Sequence, residues 1–242
     1  MTLRMAVLLT NDDTSAFAAH FPNDGHKVVQ LLQPLRPDWT FEVLPVKDGV
    51  FPATAQTYDG YVITGSPASI NDDALPWVGP LLDFIRTIDA ARQPLIGLCF
   101  GHQAVAKALG GQVARHDEGW GLGTAPTHWH APRSWMTPSK SSTTLMAAHN
   151  EQVTRMPEGA LCIGGSDFCP IGSMLIGQHI WTTQFHPEMP LVFMQALLGH
   201  LADKIDADTL ARAHISLAND ADGPLFGHWM VQFFEHARET PP

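Results

Sequence analysis

Through the first hundred residues, short and largely apolar runs alternate with stretches of helical periodicity, which restricts the chain to a few architectures. Met5–Leu9, Phe41–Val46, Tyr61–Thr64 and Leu95–Leu98 read as strands, and Gly25–Leu35 and Pro76–Ala90 as amphipathic helices. In the second helix Trp77, Leu81, Phe84, Ile85 and Ile88 recur at spacings of three and four, with Pro76 in the first turn, where a missing N–H is harmless. Alternation of this kind predicts a three-layer α/β fold around a mostly parallel sheet, with ligands met at the carboxyl ends of the strands.

From Gln112 to about Ile180 the pattern changes to short strands between Gly, Pro and Asp turns, such as Ala160–Ile163 and Ser173–Ile176. Antiparallel hairpins are expected there, making the sheet partly mixed. After Pro190, the runs Leu191–Ile205, Ala207–Leu217 and Leu225–Ala237 regain helical spacing and should cover the sheet or a partner, a homodimer interface included. Pro132–Ser142 reads as the mobile loop of the chain. No repeat or long linker divides the sequence, so one domain over 1–242 is expected, with 206–242 as a C-terminal helical extension.

Charge and cysteine content exclude several functions. Fourteen Lys and Arg face 24 Asp and Glu, for a net charge of −10. No basic run is present to contact phosphates, so a nucleic-acid partner is not expected. The early apolar run is too short to span a bilayer, no signal-peptide pattern occupies the first 30 residues, and a cytoplasmic location without a membrane partner is expected. Three cysteines, Cys99, Cys162 and Cys169, are too few for a disulfide scaffold and fit a reducing compartment.

One of the three lies in a chemically suggestive place. In Pro94–Gln103 (PLIGLCFGHQ) a hydrophobic strand ends at Cys99, between Gly97 and Gly101, and runs directly into a helix over His102–Leu109. A strand, tight turn and helix in that order form a nucleophile elbow, which raises a side chain above the sheet edge at a helix N-terminus that favours thiolate. The competing reading is a buried structural cysteine, a common fate for the residue. A second run, Ile180–Pro190 (IWTTQFHPEMP), weighs against it. In extended chain, residues two apart point to one side, so Glu188 can orient the ring of His186. Cys99, His186 and Glu188 thus supply a nucleophile, a base and its orienter, 87 residues separating the first two.

Taken together, GLCFGHQ at Gly97–Gln103 and HPE at His186–Glu188 resemble the class I, triad-type glutamine amidotransferases. The resemblance extends over roughly Met5–Leu201, through Ile63–Pro67 (ITGSP) and Ala148–Val153 (AHNEQV), and stops short of the helices after Asp206. It implies a flavodoxin-like fold. It also implies Cys99 as nucleophile, His186 as general acid and base, Glu188 as its partner, Gly65, Ser66 and the Phe100 backbone as the oxyanion site, and Gln103 as a holder of the glutamine substrate. The activity implied is hydrolysis of the γ-carboxamide of glutamine to glutamate and ammonia through a γ-glutamyl thioester, which needs no cofactor.

Two departures bear on substrate. The oxyanion loop reads Gly65-Ser66-Pro67 where many synthetase-linked members have Gly-Gly-Pro, a variant similar to the stand-alone branch that includes GMP-synthase amidotransferase domains and γ-glutamyl peptidases. The chain also has no Walker A run and no Ser-Gly-Gly-x-Asp-Ser loop, so released ammonia would need a separate synthetase as acceptor. A stand-alone γ-glutamyl peptide or amide hydrolase and a non-catalytic binding protein on the same fold are the alternatives. Of the other candidates, His128, His130 and His149 with Asp117 or Glu118 lack a zinc spacing and read as surface histidines, and no metal is expected. Gly119–Gly123 lacks the dinucleotide fingerprint and reads as a loop at the site rim, while Cys162 and Cys169 read as structural.

Overall fold

The computed structural model describes residues 2–239. The first half runs β1 (Arg4–Leu8), α1 (Asp24–Leu32), β2 (Thr40–Leu44), β3 (Gly60–Ile63), α2 (Val78–Ala90), β4 (Leu95–Leu98) and α3 (Phe100–Ala108). The middle adds β5 (Gln112–Arg115), β6 (Gly121–Trp129), β7 (Ser142–His149), β8 (Glu151–Arg155), β9 (Leu161–Gly165), β10 (Ser173–Ile176) and β11 (Ile180–Thr183). Three helices close the chain: α4 (Leu191–Leu201), α5 (Ala207–Ser216) and α6 (Gly223–Glu239).

Nine strands form one sheet in the order β2-β1-β3-β4-β11-β10-β9-β6-β7. The first five are mutually parallel and the rest pair antiparallel, with β10 and β6 running against the other seven. This is the expected three-layer α/β fold with a mixed, mostly parallel sheet. A separate two-stranded ribbon pairs β5 with β8, and the sequence gives it no strong signal because both strands are short and β5 has no buried residue.

Period two explains the layers. Met5, Val7, Val62, Ile96 and Trp181 face one core with Val28 and Leu32 of α1 and Phe226, Trp229, Met230 and Phe233 of α6. Ala6, Leu8, Tyr61, Ile63, Leu95 and Ile180 face the other, against Leu81, Ile85 and Ile88 of α2 and Ala104 and Val105 of α3. The last helix therefore covers the sheet itself. Helices α4 and α5 pack a smaller cluster, Phe193, Met194, Leu198 and Ala213, onto Met146 of β7.

Asn23 caps α1 by accepting from the His26 N–H at 2.9 Å, and Asp206 caps α5 through Thr209 at 2.8 Å, which sets both helix starts. The last strand ends at Thr183, because Gln184 and Phe185 lead away toward β7, where the His186 N–H donates to the Met146 carbonyl at 2.9 Å. The segment read as a mobile loop is anchored at its middle: Trp135 and Met136 are buried, and Trp135 lies 4.5 Å from the Trp181 ring and 5.3 Å from Phe233. Loop composition concealed that anchor.

Candidate active site

Three strand ends converge at one edge of the sheet. Leaving β4, Cys99 has φ +49°, a left-handed conformation rare for a residue with a side chain, and α3 begins at once. Close packing of that helix against the sheet requires its one glycine: a Cβ on Gly101 would lie 2.6 Å from the Ile63 carbonyl oxygen. Strain at Cys99 is thus held by the fit of α3 on β3 and β4.

From β11 come Gln184, Phe185 and His186. The His186 ring is buried and shares a proton with Glu188, Nδ1 standing 2.7 Å from Oε1. Since the carboxylate accepts, the ring donates there and leaves Nε2 for the sulfur. Burial by itself favours a neutral ring, but the charge and hydrogen bonds of Cys99 and Glu188 outweigh it and hold His186 well above the ordinary histidine range.

From β3 comes Thr64-Gly65-Ser66. A Cβ on Gly65 would fall 2.7 Å from His186 Cε1 and 3.6 Å from Cys99 Cβ, so only glycine fits between them. The Gly65 carbonyl accepts from the hydroxyls of Thr10 at 3.0 Å and Thr64 at 3.1 Å, which fixes the plane of the Gly65–Ser66 peptide. Ser66 is half-buried and its Oγ accepts from Ala68 N–H. Phe100 is buried with its ring 5.4 Å from Trp77, so its backbone is the part available to a ligand.

Gln103 lies one turn into α3, and its Nε2 donates to the Glu151 carbonyl at 2.8 Å and to Gln184 Oε1 at 3.2 Å. The Ala148–Val153 run spans the end of β7 and the start of β8 and forms the wall opposite α3. There the Glu151 carboxylate accepts from Ser69 Oγ at 2.9 Å, and the His149 ring, buried and pushed down to about 4 by desolvation, rests near the Glu151 carbonyl. All seven singled-out residues, Cys99, His186, Glu188, Gly65, Ser66, Phe100 and Gln103, therefore lie on the three converging segments.

The sequence reading missed Gln184, Thr10 and His102. Gln184 stands two residues before His186 in extended chain, so a period-two reading backward from the histidine would have found it. Thr10 follows β1 and carried no local signal. His102 is fully buried, drawn down to about 3 by desolvation, and bonds Thr182 Oγ1 and the Ile171 carbonyl, tying α3 to β11. Gly121 opens β6 rather than a loop, facing His149 and Phe168. Among the described residues, no group of three or more His, Cys, Asp and Glu is arranged to hold a metal ion, and no helix is long and apolar enough to cross a membrane.

The family model described as glutamine amidotransferase class-I matches residues 30–194, more than half of the chain and every one of these segments except β1 and Thr10. The chain belongs to the class I glutamine amidotransferase family. A relative within reach is γ-glutamyl peptidase 2 of Arabidopsis thaliana, 30% identical over 210 residues that cover 83% of each protein. The glutamine-hydrolysing GMP synthase of Trichormus variabilis is 30% identical over 133 residues, 54% of this chain but 23% of that protein. In fold, the chain superposes on a crystal structure of a glutamine amidotransferase from Thermotoga maritima with a TM-score of 0.75, covering 97% of this chain and 99% of that one at 18% identity.

Proposed function

We propose that the chain hydrolyses γ-glutamyl amides, glutamine foremost, through a γ-glutamyl thioester on Cys99. The observation that carries this reading is the buried His186–Glu188 pair beside Cys99, with Gly65 leaving both side chains room. Cys99 loses its proton to His186 and its sulfur attacks the γ-carbonyl carbon. The oxyanion meets the N–H of Phe100 at the start of α3 and the peptide that Thr10 and Thr64 orient at Gly65–Ser66. His186 returns the proton to the departing nitrogen, Glu188 holding the ring in place. Water, activated by the same ring, then releases glutamate. These steps use side chains and backbone alone, and Gln103 is the residue assigned to hold the glutamyl head group.

A second reading, a stand-alone γ-glutamyl peptide hydrolase, draws support from the relatives. Alignment covers 83% of a γ-glutamyl peptidase but 23% of a GMP synthase. In the first reading a separate synthetase takes the ammonia; in the second no partner is needed. Both place the protein in the cytoplasm, where the free thiol persists.

Glutamate release from L-glutamine and a panel of γ-glutamyl amides and peptides, with Cys99→Ala alongside, tests both. Turnover confined to glutamine supports the amidotransferase; faster turnover of bulky γ-glutamyl amides supports the peptidase. Activity that survives Cys99→Ala, or silence of the wild type on every substrate with no thioester trapped, overturns the thioester mechanism for the isolated chain.

A further inference from the structure

The orientations of two buried glutamine amides can be settled by chemistry. Gln103 approaches the backbone carbonyl of Glu151 at 2.8 Å. A carbonyl accepts only, so the Gln103 atom there is its Nε2. That same nitrogen lies 3.2 Å from the end of Gln184, which must therefore present its oxygen. The remaining atom of Gln184, its Nε2, points at the Cys99 sulfur, 3.5 Å away. Gln184 has no exposed surface, so water does not compete for this donor. Its placement also has a backbone cause, because the Gln184 N–H donates to the Gly172 carbonyl at 2.8 Å where the chain leaves β11.

We propose that Gln184 is a further catalytic residue of this site, donating an amide N–H to the Cys99 sulfur and stabilising it as thiolate, with Gln103 fixing the direction of that donor. The proposal rests on the reading of Cys99 as nucleophile. An N–H aimed at sulfur strengthens as the sulfur becomes negative, because a charge-assisted bond is stronger than a neutral one. A buried thiolate without such a donor would be disfavoured by desolvation. His186 takes the proton, and Gln184 holds the charge left behind.

Each of the two hydrogens on Gln103 Nε2 has a fixed acceptor, Glu151 and Gln184, while no protein group among the described residues bonds its Oε1. That oxygen is free to accept from the α-ammonium of a glutamyl substrate. A continuous line of N–H donors then runs from the substrate head group through Gln103 and Gln184 to the nucleophile, and each bond polarises the next.

The test is the pH dependence of Cys99 alkylation by iodoacetamide, followed on the Cys99 peptide by mass spectrometry so that Cys162 and Cys169 do not contribute. No substrate is needed. In Gln184→Met, which keeps the length but removes the donor, the alkylation midpoint is expected to rise by about one pH unit, slowing labelling roughly tenfold below it. Gln184→Glu keeps the bond to Gln103 but turns an oxygen toward sulfur, and its midpoint should rise further. Gln103→Met should give a smaller rise, since Gln184 stays in place with its direction loosened.

A merely structural Gln184 predicts a different result: lowered melting temperatures with the midpoint unmoved, and Gln184→Glu nearer to wild type than Gln184→Met. That result, or a midpoint shift in Gln103→Met but not in Gln184→Met, overturns the proposal. Should Gln184→Met fail to fold, Gln184→Glu carries the comparison alone. If instead the wild-type Cys99 peptide labels no faster than an ordinary thiol across the whole range, the reading of Cys99 as nucleophile falls, and the proposal with it.

Discussion

Cys99 and Cys169 are both buried, both unpaired, and both follow a strand at the same edge of the sheet, one in its parallel half and one in its antiparallel half. Around Cys99 stand the His186 ring, the Gln184 amide and the start of α3. Cys169 closes a tight turn after β9, its N–H donating to Ser166 Oγ at 3.0 Å, and its side chain joins the apolar core. There desolvation, with repulsion from the other two cysteines, pushes the thiol up to about 12. Burial alone therefore silences a thiol. What distinguishes the parallel half is that its strands end together, so that groups from β3, β4 and β11 surround one sulfur, whereas Cys169 sits in the connection from β9 to β10 with its side chain in the apolar core and no base or amide donor bonded to it among the described residues.

The largest expected effect comes from exchanging the roles of these two regions. Cys99→Ala should reduce glutamate release at least about a thousandfold with little change in melting temperature. Cys169→Ala should leave the rate within about twofold and cost about 1 kcal/mol of stability through the small cavity it opens. Steady-state kinetics with denaturant melts on both variants decide this. A Cys169→Ala enzyme as inactive as Cys99→Ala at full stability would break the contrast.

Next in size is Gly65→Ala. The added methyl meets His186 Cε1 rather than a flexible side chain, so the ring must move from its place between Glu188 and Cys99. Displacements of that order in an aligned site cost about a hundredfold in rate. The loss should appear in kcat, with Glu188 still paired to the displaced ring. An unchanged kcat would show that the Gly65 contact does not limit the histidine.

The same division explains what could be read in the sequence. Strands buried on both faces are continuous apolar runs, so β1, β3 and β4 declared themselves, and the elbow followed from strand, Cys and helix in sequence. His186 and Glu188 were legible because two residues of extended chain suffice to place one against the other. Other features rest on partners that lie far apart in sequence. The β5–β8 ribbon, the anchor of Trp135 against Trp181, and the Glu151 carbonyl that fixes Gln103 all depend on long-range contacts that no local spacing records. Thr10 belongs to the parallel half but was equally hidden, because its role depends on a neighbour 55 residues away in Gly65.

Glu188→Gln sharpens the account of His186 with a smaller effect. The amide oxygen can still accept from Nδ1, so ring geometry is kept while one of the two anions raising the ring's pKa is removed. In the proposed mechanism a protonated His186 releases the leaving nitrogen, and the basic limb of the rate profile would mark where that proton is lost. With the carboxylate gone, the limb should move to lower pH, leaving the rate on its acid side within about tenfold of wild type. A limb that stays in place would assign it to a group other than His186.

The smallest effect concerns stability and separates His102 and His149 from His186. His102 and His149 are held neutral, at about 3 and about 4, because burial penalises their charged rings more than their backbone partners help. In the unfolded chain both titrate near the ordinary value of about 6.5. Above that pH neither state binds the protons and the fold has its full stability from this source. As pH falls below it, the unfolded chain alone takes them up, so stability declines until the folded rings titrate. His186 behaves oppositely: its folded pKa is raised, so its contribution is complete below about 6.5 and fades as pH rises through the higher folded value. Urea midpoints measured between pH 8 and pH 4.5 should therefore fall on the acid side. His102→Gln, whose amide can reach toward the Ile171 carbonyl, should fall less steeply by about one proton's worth of slope. Equal slopes in the two proteins would mean that His102 takes its proton within the fold, and that the contact between α3 and β11 tolerates a charge.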